Sequence, residues 1–202
     1  MFTRDPSDVD DAVDVHASVH DDLAPWLAAG FVEQRRENRY VVPTTTSSSR
    51  EPPPGVSFIT ADAVDERRLR QLDDELRQDV PGTDGWRWEP HDFRVETWES
   101  PHFDPEVYVV AVDAGGRYVG IARIWMRAAG AHLGFIGVAR AYRRRGIASA
   151  LLGRVFGVLA ARGITEVTTE IDVANVASRA TIEPLGARVL GETVEVVRHR
   201  IG

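Results

Sequence analysis

Phe135-Ile-Gly-Val-Ala-Arg-Ala-Tyr-Arg-Arg-Arg-Gly-Ile-Ala-Ser-Ala-Leu-Leu152 is the stretch from which the rest of the chain is read. An apolar, β-rich run ends near Val138. A basic turn follows, Arg143-Arg144-Arg145-Gly146-Ile147-Ala148. Leu151, Leu152, Val155, Phe156 and Leu159 then recur with helical spacing. Strand, glycine-containing turn and helix together form a holder for phosphate. The first turn of a helix leaves N–H groups without partners, and its dipole is positive at that end. Gly146 and Ala148 keep side chains small, so a bulky anion can reach the backbone from about Arg144 to Ser149. Three arginines add charge and forked donors. Like charges at a helix start cost stability unless an anion relieves them.

Arg143-x-x-Gly146-x-Ala148 resembles the (Gln/Arg)-x-x-Gly-x-(Gly/Ala) signature of the GNAT superfamily of N-acetyltransferases. The resemblance implies that this turn and helix start bind the pyrophosphate of acetyl-coenzyme A, the expected cosubstrate. It implies that the strand through Ile136, Gly137 and Val138 splays from its neighbour and pairs its backbone with the pantetheine arm, as an added strand would. Asn175-Val-Ala-Ser178 resembles the family's Asn-x-x-(Ala/Ser), in which the asparagine bonds the coenzyme arm. Asparagine is also a good helix N-cap, so both roles stand open. The chain departs from the pattern at the acid. Many members place a tyrosine seven residues after that asparagine; here Ile182 stands there and can donate nothing. Gly186 is followed by Ala187 where a phenylalanine is usual.

Composition narrows the classes. The 202 residues suffice for one domain plus an appendage. With no cysteine there is no disulfide, no thiolate nucleophile and no cysteine-based zinc site. All 24 basic residues are arginine, which rules out Schiff-base chemistry by the protein. A formal net charge of −7 argues against nucleic acid as a partner. No apolar run approaches membrane-spanning length, so no membrane partner is expected, and a cytoplasmic protein is.

Residues 44–54, Thr-Thr-Thr-Ser-Ser-Ser-Arg-Glu-Pro-Pro-Pro, read as a linker. The expected division is an extension over 1–43, a linker over 44–55 and an acetyltransferase domain over 56–202. Within the extension, 8–28 read as helical, Gly30 as a stop, and 31–42 as strands. Leu27-Ala-Ala-Gly-Phe31 can be laid against Glu183-Pro-Leu-Gly-Ala187, so 1–43 read either as the remnant of a second GNAT-like unit or as a generic helix-plus-hairpin extension. Beyond the linker the pattern gives a strand at 55–59, a helix at 63–79 and an irregular aromatic segment at 81–105. Strands follow at 107–112, 118–126 and 132–138, then the turn and a helix to 162. A strand at 166–173, a short helix at 177–185 and a terminal hairpin at 188–200 complete it. This order resembles the α/β (α+β) GNAT fold, with a mixed, strongly bent sheet flanked by helices.

Attack by an amine needs a neutral nitrogen, so something must take its proton. Glu170 and Asp172 share one strand face and are candidate bases, or else solvent-facing charge. His132 titrates near neutral pH when unperturbed. In the 81–105 segment, Asp84, Trp86 and Glu96 are candidate acceptor contacts, with Trp88, Glu89 and Trp98 nearby. The alternative is that the aromatics pin the loop to the sheet. The resemblance implies transfer of acetyl from acetyl-CoA to an amine of a small molecule or protein. A non-catalytic acyl-CoA-binding module is the alternative that Ile182 keeps open. A nucleotide phosphate loop is disfavoured, because no Gly-x-x-x-x-Gly-Lys occurs. Terminal hairpins and N-terminal appendages often pair between subunits, which makes a homodimer an expectation.

Overall fold

The computed structural model describes residues 15–20, 22–45, 51–83 and 85–199. Its strands are β1 (Val15–Val19), β2 (Val32–Pro43), β3 (Val56–Thr60), β4 (Tyr108–Asp113), β5 (Tyr118–Arg127), β6 (Gly130–Val138), β7 (Glu166–Asp172) and β8 (Arg188–Arg198). Its helices are α1 (Ala24–Ala28), α2 (Glu66–Arg77), α3 (Pro90–Thr97), α4 (Ile147–Ala161) and α5 (Val176–Ile182). The strands hydrogen-bond in the order β1-β8-β2-β7-β6-β5-β4-β3, a mixed sheet of the α/β class.

Two compact units divide the chain. The larger comprises residues 41–169 and 175–188. In it β3, β4, β5 and β6 form an antiparallel meander. Short turns join β4 to β5 and β5 to β6, and Gly116 bonds back to Asp113 at 2.9 Å in the first of them; α2 and α3 lie between β3 and β4 in the chain. α2 starts where Asp65 accepts from the Arg68 N–H at 2.9 Å. Leu69, Leu72 and Leu76 recur on one helical face and pack on Tyr108, Val110, Ile121 and Phe135. The stripe of Ile147, Leu151, Leu152, Val155, Phe156 and Leu159 on α4 is buried, and α4 packs along β4, β5 and β6. The segment expected to be irregular contains α3. Pro90 sits in its first turn, and Phe93 and Thr97, one turn apart, face inward. Scattered aromatics had hidden that period. Thr44, placed in the linker by composition, is buried and donates its hydroxyl to the Ile164 carbonyl at 2.8 Å.

The smaller unit comprises residues 1–40, 170–174 and 189–202. Residues 15–19, expected inside a helix, form β1 instead. Ala17 and Val19 are buried while Ser18 is exposed, the two-residue period of a strand. β1 pairs antiparallel with β8, Val15 opposite Arg198 through Val19 opposite Val194. That long-range ladder overrides the local helical composition. Residues 8–14 of the expected helix lie outside the described residues. α1 shrinks to five residues, with Pro25 in its first turn and the left-handed Gly30 past its end. β2 runs unbroken over 12 residues and β8 over 11, where hairpins were expected. Neither carries a turn that would reverse it; Gly191 stays within β8. Ala17, Val19, Trp26, Phe31, Val194 and Val196 make this unit's core, with Trp26 and Phe31 edge to face at 5.1 Å.

Candidate functional site

The basic turn is folded as the sequence requires. Gly146 caps α4 at φ +79°, a left-handed conformation that a Cβ opposes. Arg144 is left-handed as well, at φ +62°, among the described residues the one non-glycine with positive φ. No side chain caps α4, and no acid stands in its first turn, so its leading N–H groups keep their capacity for an anion.

The arginines divide their work. Arg143 donates Nε to the Val138 carbonyl at 2.9 Å and reaches Asp79 with its other arm. Arg140 bonds the same carboxylate. Arg140 and Arg143 hold the Asp79 carboxyl below the usual carboxylate range. Part of the charge that the sequence left awaiting an anion is therefore met by the protein itself. Arg145 donates to the Ala141 carbonyl at 3.1 Å and lies 5.2 Å from the Tyr142 ring. Tyr142 donates its hydroxyl to Asp113 at 2.6 Å, which raises the phenol's pKa and lowers the carboxyl's.

A cavity of about 620 Å³ lies on this turn. Ile136, Gly137 and Val138 line one side; Arg143, Arg144, Gly146, Ile147, Ala148 and Ser149 line the turn; Asn175 and Ser178 line another side. These expected positions come together. Arg145 is not among the lining residues. Leu76, Asp79, Val80, Tyr142 and Thr181 also line it. They belong to elements whose approach no local pattern announces, although Asp79 stands directly behind the helix bearing the Leu stripe. Between β6 and β7 the ladder is a single parallel pair, His132 with Thr168. Ile136, Gly137 and Val138 line the cavity. On its other side β6 stays in register with β5, Gly120 opposite Val138 through Arg123 opposite Phe135. A bulge at Gly134 then shifts the register. A Cβ on Gly134 would stand 2.7 Å from the Trp125 ring, so only glycine fits.

Of the two roles its sequence left open, Asn175 fills that of the cap and stands at the cavity. Its Oδ1 accepts from the Ser178 N–H at 3.0 Å as the cap of α5, and both residues face the cavity. Ile182 is fully buried, a core side chain.

Glu170 and Asp172 fall in the smaller unit. Asp172 is buried, accepts from Arg35 at 3.1 Å and from the Ala174 N–H at 2.7 Å. Glu170 is exposed. Glu37, which sequence reasoning missed, shares their neighbourhood. Burial raises its pKa, against the lowering effect of Arg35, and Glu195, Glu170 and Asp172 raise it further. His132 is unsuited to work near neutral pH. It is 5% exposed, stacks on Trp125 at 5.7 Å, and has a pKa lowered to about 4 by burial and by Arg127.

Of the acceptor candidates, Asp84 lies outside the described residues. Glu96 is exposed on α3, and Trp86 is 43% exposed, edge-on to Trp88 at 4.7 Å. Trp88 is anchored: its indole N–H donates to Asp73 at 2.7 Å and its backbone N–H to Asp74 at 2.8 Å. Contacts from Trp88 to Phe93, Trp98 and Phe103 continue to Tyr108 on β4. These aromatics tie the segment to the sheet.

Residues 69–187 match the model of the acetyltransferase (GNAT) family. Among solved structures, a GCN5-related N-acetyltransferase from Sphaerobacter thermophilus is similar over 94% of this chain and 61% of its own, at 24% identity and a TM-score of 0.75. A tandem GNAT protein from the clavulanic acid biosynthesis pathway is similar over 94% of this chain and 65% of its own, at 16% identity and a TM-score of 0.70. A GCN5-related N-acetyltransferase from Kribbella flavida is similar over 93% and 69%, at 14% identity and a TM-score of 0.60. The chain thus spans less than two thirds of the first two structures. Among curated proteins no sequence relative is found.

Proposed function

The chain belongs to the acetyltransferase (GNAT) family, and on that premise we propose that it moves an acetyl group from acetyl-CoA to a primary amine by direct transfer. The observation that carries this is the cavity of about 620 Å³ built on the Arg143–Ser149 turn, the Ile136–Val138 strand and Asn175. The α4 N–H groups and Arg144 receive the pyrophosphate. The amide nitrogen of Asn175 bonds the pantetheine arm, and the backbone near Val138 polarises the thioester carbonyl. The neutral amine attacks that carbon, its proton passes to water, and the carbon–sulfur bond breaks. With Ile182 in the core, the sulfur leaves as thiolate, whose pKa of about 8.5 makes modest help sufficient. Trp86 and Glu96 border the acceptor in this reading. In this reading residues 1–43 are the remnant of a GNAT-like repeat, 44–55 a linker and 56–202 the catalytic domain, of which 170–174 and 189–202 belong to the smaller compact unit. The similarity to a tandem GNAT protein supports that division.

The test is calorimetry with acetyl-CoA followed by thiol release against an amine panel. The chain has no cysteine, so every thiol detected is coenzyme. Micromolar binding and amine-dependent release are expected. Absence of coenzyme binding overturns the proposal. Binding without release for any amine favours an acyl-CoA-binding sensor or interaction module.

A further inference from the structure

Arg123 on β5 is 2% exposed, and among the described residues its Nε and Nη1 have no acceptor. No carboxylate among the described residues pairs with it. The guanidinium lies 4.8 Å from the Trp125 ring and 5.7 Å from the Tyr108 ring, whose buried hydroxyl is likewise without a partner. Its cross-strand neighbours are Tyr108 on β4 and Phe135 on β6. Arg77 from α2 stands 4.7 Å from that Phe135 ring. Arg77 also bonds Asp73, which is fully buried. Asp73 uses Oδ1 for Arg77 and for the Trp88 indole, while Oδ2 has no partner.

A buried guanidinium without an anion is among the costliest arrangements a core can hold. A half-satisfied polar network is worse than an apolar one. Here two donors and one carboxylate oxygen are all left open in the same unit, Asp73 being the residue that holds the Trp88 indole. Trp125, which lies against the guanidinium, is itself only partly buried, so Arg123 is one ring below the surface. The missing groups are an oxyanion for Arg123 and a hydrogen-bond donor for Asp73.

We infer that Arg123 anchors a carboxylate of the acceptor, so the acceptor is an amine of the amino-acid class that carries its acid group alongside the amine. Arg123 is then a specificity residue, with Asp73 Oδ2 taking an N–H or O–H of the same molecule. The inference rests on the acetyl-transfer reading above and adds the acceptor's chemistry to it.

The test compares free α-amino acids with their amides and with their decarboxylated amines, using the whole chain. With acetyl-CoA present, the acids should exceed their amides in kcat/KM by roughly 10- to 100-fold, as expected for a charge-assisted hydrogen-bond pair. R123M should bring that ratio to within about twofold, leave the coenzyme Kd unmoved, and hold or raise Tm, because a lone buried charge is gone. Thermal shift with the same acids and amides, without coenzyme, reads the anchor separately. A larger Tm rise for acid than for amide supports it even where acetyl-CoA fails to bind. Acids no better than amides in both assays overturn it, as does preference for an amine bearing a phosphate ester. The wild-type comparison decides the matter if R123M does not fold. Loss of coenzyme binding by the wild type counts against acetyl transfer alone.

Discussion

Gly146 sits at φ +79° with nothing within 4 Å of where its Cβ would be. A valine there strains the backbone without striking a neighbour, and its methyls occupy the anion's approach. Gly146→Val should therefore leave a folded protein and weaken acetyl-CoA by at least about 10-fold, the loss of one or more charge-assisted hydrogen bonds. Calorimetry checks it, and unchanged affinity would sink the turn's role. Gly146 and the arginines were legible because their chemistry is local. His132 was not: the ring stack with Trp125 that buries it comes from cross-strand register, which a single residue does not advertise. Its pKa is about 4 in the fold against an ordinary value near 6.5. Between those values the unfolded chain takes up a proton that the native state refuses. Stability is then level above about pH 6.5 and falls as pH drops toward 4. From pH 7 to 5 the wild type should lose about 2 kcal/mol more than His132→Gln, read from urea midpoints. Equal losses would show that this ring does not stay neutral.

At the start of α5, the observed cap and the proposed coenzyme contact are separable because they would use different atoms of Asn175. Serine keeps the cap and lacks the amide nitrogen. Asn175→Ser should hold stability within about 0.5 kcal/mol, and Asn175→Ala should lose about 1 kcal/mol. Both should weaken acetyl-CoA several-fold if the amide bonds the coenzyme arm. A serine variant that binds normally would reduce Asn175 to a cap. On β6, Gly134→Ala pushes a Cβ against the Trp125 ring and should cost about 1–3 kcal/mol in chemical denaturation. The sequence revealed most elements of the larger unit because β4, β5 and β6 follow one another along the chain and α2 and α4 carry full apolar stripes. It misassigned residues 15–19 because their partner, β8, lies at the other end of the chain. Composition near the N terminus could not report that pairing. α3 was missed for a related reason: eight residues with two inward positions leave too short a period.

For the molecule as a whole, the proposed coenzyme binding would be coupled to the stability of the unit that holds the cavity. Acetyl-CoA at 100 times its Kd should stabilise that unit by about 2.7 kcal/mol, a Tm rise of roughly 5–10 °C for a chain of this size. A flat melting curve across the titration would argue against binding. The net charge of −7 sets a further expectation: no shift of duplex DNA in a gel at moderate salt. The Asp79 clamp also shapes how the coenzyme would meet its ionic surroundings. Asp79 engages Arg140 and Arg143, and Arg145 turns to a carbonyl. That leaves Arg144, aided by backbone dipoles, to meet the pyrophosphate. Dipoles at contact are little affected by dissolved ions, while exposed charges are screened. Raising sodium chloride should therefore weaken acetyl-CoA only gently, with the shallow slope of about one exposed cation. A protein so arranged would hold its donor almost equally well in dilute buffer and in a crowded, salty cell.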